Sequence, residues 1–331
     1  MRNLVVGLDG SDSSLAALDW AVETVGEAGR IHAVVGLNPW TRYIVDGIAG
    51  REVTFQEALE HDLVTEWTAG VRERVAELAT TVSVATAAKA LDSAVTDDRA
   101  DAVVVGAHTG LPGAPARIGR TINHLVRITD HPVIVVPGPA PVALDDGVVV
   151  VGIGHGNATR AAVRWAAHLA RRRRVTIELL HATGDAPVFQ TDGVLDLVRY
   201  EFGRRGRRGD GTAETETETD VDTELVDDSE PGHGSDDDVD DVWERGAIDH
   251  FAELMRTLTG PELELVISTP PGLPAVRLDE ASERSALLVL GRHRSTWDRG
   301  HHTAQPLRHA LTHARCPVVV IADHPDWLLD T

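Results

Sequence analysis

Residues 100–125 read ADAVVVGAHTGLPGAPARIGRTINHL, with four glycines set just beyond a run of three valines. Glycines let a backbone approach anionic oxygens closely, and successive N–H groups form a cradle that a following helix extends with its own N-terminus. The chemistry on offer is phosphate binding. Arg120 adds a charged contact beside the last glycine of the run, Gly119. Against this, Thr109 interrupts the glycine pattern, and Pro112 and Pro115 each remove a donor. Two readings stand on these residues alone: a phosphate cradle, or a turn from strand to helix with no ligand.

The elements that must position this loop recur. VVGLDGSDSSLAALDWA (5–21) lies in register with VVGIGHGNATRAAVRWA (150–166), including Trp20 against Trp165. ADAVVVGAHTG matches SALLVLGRHRS, and HPVIVV (131–136) matches CPVVVI (316–321). Gly106 precedes Pro132 by 26 residues, and Gly291 precedes Pro317 by the same 26. Two copies of one domain are expected, at 1–137 and 148–323, joined by a linker at 138–147 whose prolines and glycines suit the role. Each copy alternates strands and helices. In copy one, Leu4–Leu8 reads as a strand buried on both faces, and Ser11–Ser14 offers helix caps. A second strand is expected at Ile31–Leu37, a long helix from about Val53 to Leu78, and a strand at Val82–Ala85. A helix at Ala87–Asp98, a strand at Ala102–Gly106, a helix at Ile122–Thr129 and a closing strand at Val133–Val136 complete the copy.

This alternation predicts an α/β fold of two doubly wound, five-stranded parallel sheets with helices on both faces, in tandem. Ligands in such sheets sit beyond strand carboxyl ends, where the strand order reverses. Asp9 and the loop after Gly106 both leave strand ends, which places them at one crevice. The apolar closing strands are expected to pair antiparallel within the chain, as an intramolecular pseudo-dimer, with a homodimer as a further option.

Other chemistry is thinner. APARIGRT (114–121) resembles a P-loop with Ala for the first Gly and Arg for the Lys. It lacks the lysine and follows the fourth strand, so that reading is set aside. His309 and His313 stand one helical turn apart near Cys316 and His301, but a polar helix face explains them, and no metal is expected beyond Mg accompanying a nucleotide. No nucleophile elbow is present, and no carboxylate pair lies beside the glycine loop. His108 is the one general-base candidate there and reads as a surface residue, so no enzyme is expected, with slow ATP hydrolysis as a weaker alternative. RRRR (171–174) closes a helix, where cations suit the dipole.

Composition bounds the rest. The chain has 331 residues, 42% of them hydrophobic, and a net charge of −21. Fifteen of the 52 acidic residues fall between Asp210 and Asp241, where Arg and Lys are absent, leaving 37 acids against 31 bases elsewhere. Phosphate-backbone binding of nucleic acid is therefore disfavoured. Residues 202–241 carry the composition of a disordered acidic insertion, and the RRGRR near its start (204–208), ahead of the acids, is read as pairing with them. One Lys against 30 Arg, with the acidic surplus, points to a halophilic or GC-rich source. The single Cys316 and the short apolar runs fit a cytoplasmic protein with no membrane span.

VVGLDGS opening a domain, the glycine pattern after the fourth strand and the terminal HPVIVV resemble the universal stress protein family, in tandem. The resemblance covers about 1–137 and 148–323 and implies a Rossmann-like sheet of the adenine nucleotide alpha hydrolase type. It implies a loop of Gly, two residues, Gly, nine residues, Gly, then Ser or Thr. Gly106 and Gly119 take the first and last glycine places; Thr109 holds the middle one, with Gly110 a residue late. Arg120 holds the hydroxyl place, with Thr121 a residue late. Asp9, Gly10 and Ser11 match the first-strand motif, with Asp9 near the adenosine, and Val35 to Leu37 line the base. Copy two departs from the pattern: Gly154 and His155 replace Asp9 and Gly10, and Arg294, Ala304 and Gln305 follow Gly291 in the loop places. The expected function is a stress-response protein that binds ATP or a related adenine nucleotide in copy one and acts on unnamed protein partners. The alternative is a nucleotide-free tandem scaffold acting through its surfaces.

Overall fold

The apolar run near the start forms β1 (Asn3–Gly7), with Leu4, Val5 and Val6 wholly buried, as an inner strand of a parallel sheet requires. The computed structural model describes residues 1–38, 44–45, 53–107, 118–138, 144–154, 157–183, 236–292 and 305–323. Ser11 caps α1 (Asp12–Val25), its hydroxyl accepting the Ser14 N–H at 3.3 Å, and Gly26 ends the helix at φ 67°. Trp20 lies on the buried face of α1, and Trp165 does the same in copy two. The sheet continues with β2 (Arg30–Gly36).

Here the expected long helix fails. The chain makes a two-stranded antiparallel pair, β3 (Ile44–Val45) with β4 (Val53–Thr54), then α2 (Phe55–Asp62) and a π-helical turn at Leu63–Trp67. Thr68 stops it, its N–H and its hydroxyl both bonding back to the carbonyl of Leu63, at 3.2 and 2.7 Å. Gly70 adds a second break, and ELATTVS then enters the sheet as β5 (Glu77–Ser83). Its Thr and Val side chains favour the pleated surface. The strand expected at Val82–Ala85 therefore begins five residues earlier.

The remaining elements of copy one are α3 (Ala87–Asp97), β6 (Ala102–Gly106), α4 (Arg120–Ile128) and β7 (Val133–Val136). Copy two runs β8 (Val148–Gly152), α5 (Asn157–Arg173), β9 (Ile177–Leu180), α6 (Asp236–Thr259), β10 (Leu265–Ser268), α7 (Pro274–Ser282), β11 (Ser285–Arg292), α8 (Gln305–His313) and β12 (Val318–Ala322). The start of α6 corrects the extent of the acidic insertion, whose last six residues are helical. Ile248, Phe251, Ala252 and Met255 anchor that helix in the core, and an acidic N-terminal turn suits its dipole. Residues 202–235 lie outside the described residues. Among those described, no helix is long and apolar enough to cross a membrane.

Among the described residues, all strands but β3 and β4 form one ten-stranded sheet in the order β10-β9-β8-β11-β12-β7-β6-β1-β2-β5. Each half is five parallel strands, and the halves join where β12 pairs antiparallel with β7, setting Val318, Val319 and Val320 against Val135, Ile134 and Val133. The closing strands thus meet inside the chain in the expected sense. One face of the sheet packs α1, α5 and α6; the other packs α3, α4, α7 and α8. Polar contacts cross the seam as well. Buried Arg292 donates to the Thr129 carbonyl at 3.0 Å, and Arg173 donates to the Thr24 carbonyl while pairing with Asp145 at 2.9 Å. Arg173, which ends α5, thus does more than complement a dipole.

Ile134 is wholly buried at this seam. The expected outcome for Ile134→Ala is a loss of about 2–5 kcal/mol in urea unfolding, with both halves still melting in one transition. Two separated transitions in the unmodified chain would show that the halves do not share a core.

Candidate functional site

In both halves the order reverses between the first and fourth strands, at β1/β6 and at β8/β11. In copy one, β1 delivers Asp9, Gly10 and Ser11 to that point. Asp9 Oδ1 accepts from the Ser11 N–H at 3.0 Å and from its hydroxyl at 2.6 Å, and the Ser14 hydroxyl meets the Asp9 N–H at 3.4 Å. Gly10 takes φ 78°, a left-handed angle that leaves the carboxylate exposed on a tight turn. A Cβ at Gly10 would lie 2.4 Å from Cζ2 of Trp67, so the indole covers this turn.

Val35 and Leu37 sit at the neighbouring end of β2, both in the core beneath the turn, 4% and 8% exposed. Gly106 ends β6, and Gly119 caps α4 in extended conformation with no side-chain cap. Arg120 opens the helix exposed and Thr121 follows half-buried. No acidic residue stands in that first turn, so its N–H groups suit an anion. Thr109 and Gly110 lie outside the described residues, as do His108, Pro112 and Pro115.

Gly106 has a structural reason of its own. A Cβ there would stand 2.2 Å from the Ser13 carbonyl oxygen, because the first turn of α1 rests on the end of β6. Gly291 repeats the contact in copy two, 2.3 Å from the Ala158 carbonyl oxygen. Retention of this glycine in both copies, where other motif residues were lost, was a readable sign of packing. Gly10 and Gly119 occur in copy one alone; the left-handed angle and the Trp67 indole account for Gly10, which leaves Gly119 as the position with no packing reason shown.

Copy two keeps one contact of this place and loses its carboxylate. The Thr159 hydroxyl meets the Gly154 N–H at 3.2 Å, as Ser14 meets Asp9, but no carboxylate is present. His181 stands where copy one has Val35, buried, its Nδ1–H donating to the Ile153 carbonyl at 3.0 Å. Arg292 stands where copy one has Ala107, buried at the seam. Residues 155 and 293–304, including His155, Arg294, His301 and Ala304, lie outside the described residues. Gln305 opens α8, and Pro306 follows with no N–H to donate. On that helix the rings of His309 and His313 stack at 4.2 Å, and burial pushes the Cys316 thiol up to about 12, so it offers no thiolate.

Trp67, His181 and Arg292 were not singled out from sequence. Aligning the copies does set His181 against Val35; nothing local marks Trp67, which meets Gly10 from 57 residues away.

A cavity of about 410 Å³ in copy two is lined by Glu178, Ser268, Arg277, Glu280 and Arg284, among others. Glu178 is 3% exposed, and Arg284 donates to its two oxygens at 2.5 and 2.8 Å. That guanidinium holds the Glu178 carboxyl below its usual value against the opposing effect of burial, with a hydrogen bond from Ser268 assisting.

The sequence model of the universal stress protein family matches residues 1–137 and 147–322. Universal stress proteins of Mycobacterium tuberculosis and Mycobacterium bovis are 28% identical over 213 residues, 59% of this chain and 65% of theirs. The match therefore spans just under two thirds of those relatives. A universal stress protein from Archaeoglobus fulgidus superposes with a TM-score of 0.54 at 12% identity, over 97% of this chain and 96% of its own. A putative universal stress protein from Pseudomonas aeruginosa gives 0.50 at 12% identity, over 99% and 95%. At that identity these structures attest the fold alone.

Gly106→Ala and Gly291→Ala are each expected to cost about 1–3 kcal/mol in denaturant unfolding, because α1 or α5 must move off the sheet. A tolerated Gly106→Ala would place the need for glycine elsewhere. Arg284→Met should cost about 1–3 kcal/mol near neutral pH by leaving a buried carboxylate unpaired, tempered by the half-exposed guanidinium. The Glu178 carboxyl is lowered, so the pair stabilises above 4.5, its ordinary value, and that stability is lost as pH falls through the folded value below it. The difference between variant and parent should thus shrink on acidification, and a constant difference would mean that the pair is not its cause.

Proposed function

The chain belongs to the universal stress protein family, and from that premise we propose that it binds ATP or another adenine nucleotide in copy one and acts, in the cytoplasm, through nucleotide-dependent association with protein partners rather than through turnover. The observation that carries this reading is the asymmetry between the halves at matching positions. Copy one presents an exposed carboxylate at the point where strand order reverses, on a left-handed glycine turn. Its α4 begins at a glycine with no side chain over the first N–H groups and an exposed Arg120 beside them. Copy two has Gly154 for the carboxylate and Pro306 in the first turn of α8.

In this reading Val35 and Leu37 form an apolar floor for the base, Asp9 to Ser11 contact the nucleoside, and the loop from Gly106 to Gly119, with Thr109 and Gly110, turns its backbone to the phosphates. Arg120 and Thr121 add side-chain contacts where α4 begins, and Mg enters only with the nucleotide. Charge-assisted contacts to phosphate are the stronger kind, which favours a di- or triphosphate over a nucleoside. The alternative is a nucleotide-free scaffold. It is favoured by one fact: contact with α1 alone accounts for Gly106.

Titration calorimetry with ATP separates the two. One site per chain is expected, and Gly119→Val should weaken binding at least about tenfold, or 1.4 kcal/mol, by placing a side chain where phosphate oxygens lie. The matching change in copy two, Ala304→Val, should leave binding as it was. Two sites per chain, or equal sensitivity to both changes, would overturn the assignment to copy one; absence of binding would leave the scaffold.

A further inference from the structure

Three side chains distant in sequence converge on the α3 face of copy one. His32 of β2 sits with Nδ1 2.5 Å from Asp98 Oδ2 and Nε2 2.9 Å from Thr81 Oγ1 of β5. A carboxylate can only accept, so Nδ1 carries the proton and donates to Asp98. In the Nδ1–H tautomer, Nε2 accepts from the Thr81 hydroxyl. The imidazole is 16% exposed, whereas Thr81 is exposed on the last strand of the described sheet. Asp98 is held by the end of α3: Arg99 turns left-handed at φ 48°, its N–H meets the Thr96 carbonyl, and the Ala100 N–H meets that of Val95. Asn3 Nδ2 donates to the Asp98 carbonyl at 3.0 Å. Asp98 lies just before β6, toward the amino ends of the strands, whereas Asp9 lies beyond their carboxyl ends.

Copy two carries a different trio at the same place. His32 lies beside Val5 and Ala79, and Glu178 beside Val150 and Val266. Thr81 and Ser268 each follow two residues along the edge strand. In copy two the partner is Arg284, which engages both oxygens of Glu178, and Ser268 bonds to a carboxylate already neutralised by that cation. Either trio can pin an edge strand. In copy one alone an oriented base faces the hydroxyl.

We propose that Thr81 is an activated nucleophile that accepts the acyl group of a neutral activated ester, with His32 as its base and Asp98 as the positioning residue. In the step, Thr81 Oγ bonds to the ester carbonyl carbon and the bond from that carbon to the leaving oxygen breaks. His32 Nε2 takes the hydroxyl proton and returns it to the leaving oxygen. The products are an O-acyl threonine and an alcohol or phenol. A neutral donor is favoured over a phosphoryl donor because Asp98 places a carboxylate at the trio, its Oδ2 2.5 Å from His32 Nδ1. The site supplies nucleophile, base and orientation, so the expected outcome is one acyl transfer per chain.

The test treats the full-length protein with p-nitrophenyl acetate, follows p-nitrophenol release and locates acetyl groups by peptide mass spectrometry. Acetylation is expected at Thr81 and not at Ser268, with Lys89, the single lysine, as an internal reference for unassisted labelling. His32→Gln should slow Thr81 labelling at least about a hundredfold while leaving Lys89 labelling unchanged. Asp98→Asn should slow it in the same direction, Thr81→Ser should keep it, and Thr81→Val should abolish it, each with the folded circular dichroism spectrum retained. Thr81 acetylated equally in His32→Gln, or never acetylated in the folded parent, would overturn the proposal and leave the trio as a clamp on β5.

Discussion

The ladder between β7 and β12 is only three residue pairs long, and the rest of the molecule depends on it. All four residues of β7 and all five of β12 are buried. Neither strand could end its sheet in water without exposing a row of valines and unpaired backbone groups. Pairing them removes both edges at once. The contribution comes mainly from apolar area taken out of water, since a few ladder hydrogen bonds largely exchange for bonds to solvent. Once the seam is fixed, the helices beside it share faces, which lets Arg292 reach the Thr129 carbonyl and Arg173 the Thr24 carbonyl. Among the described residues the sheet ends at β5 and β10, the strands least like β7. β5 alternates in exposure, and β10 leaves Val266 and Ile267 about 40% exposed.

That gradient from centre to edge also decides what was legible. Strands buried on both faces leave no room for polar residues, so β1, β6 and β7 stand out in the sequence as unbroken apolar runs. An edge strand obeys no such restriction. ELATTVS carries polar and apolar residues together and follows a stretch with helical spacing, so the sequence alone runs the helix into its start, to Leu78, and begins the strand only at Val82. The information that stops the helix is the Thr68 hydroxyl turning back on Leu63, a three-dimensional event with a weak sequence mark. The start of α6 was hidden differently. Composition marks 202–241 as unable to build a core, yet a helix anchored by Phe251 and Met255 extends N-terminally into that acidic sequence.

The candidate nucleotide site was legible in its residue types and less so in its reasons. Gly106 belongs to the glycine pattern, but the contact with Ser13 explains it without a ligand. Comparing the halves sorts the glycines: a requirement of packing persists in both, while a requirement of ligand persists only where the ligand binds. Gly119 passes that filter and Gly106 does not, while Gly10 is confined to copy one yet is already required by its left-handed angle and the Trp67 indole. His181 could have been found in the same comparison, as a polar residue set against Val35. Trp67 could not, because nothing in the sequence indicates which turn an indole 57 residues away will cover.

The same logic separates structure from chemistry at the His32 position. A half-buried place between the second strand and the edge strand requires its polar group to be paired, whichever group it is. Copy two satisfies that requirement with a carboxylate locked by a guanidinium, an arrangement in which both partners are charged and no proton stands ready to move. Copy one satisfies it with an imidazole whose two nitrogens serve opposite roles, donor to Asp98 and acceptor from Thr81. Pinning the edge strand requires only the first kind of solution. Only Nδ1 is fixed as a donor by the carboxylate, since the Thr81 hydroxyl can either donate to Nε2 or accept from it; in the Nδ1–H tautomer the ring presents a lone pair to a hydroxyl, which a guanidinium–carboxylate pair does not. The packing need common to both halves therefore accounts for a polar trio at this place, but not for the imidazole.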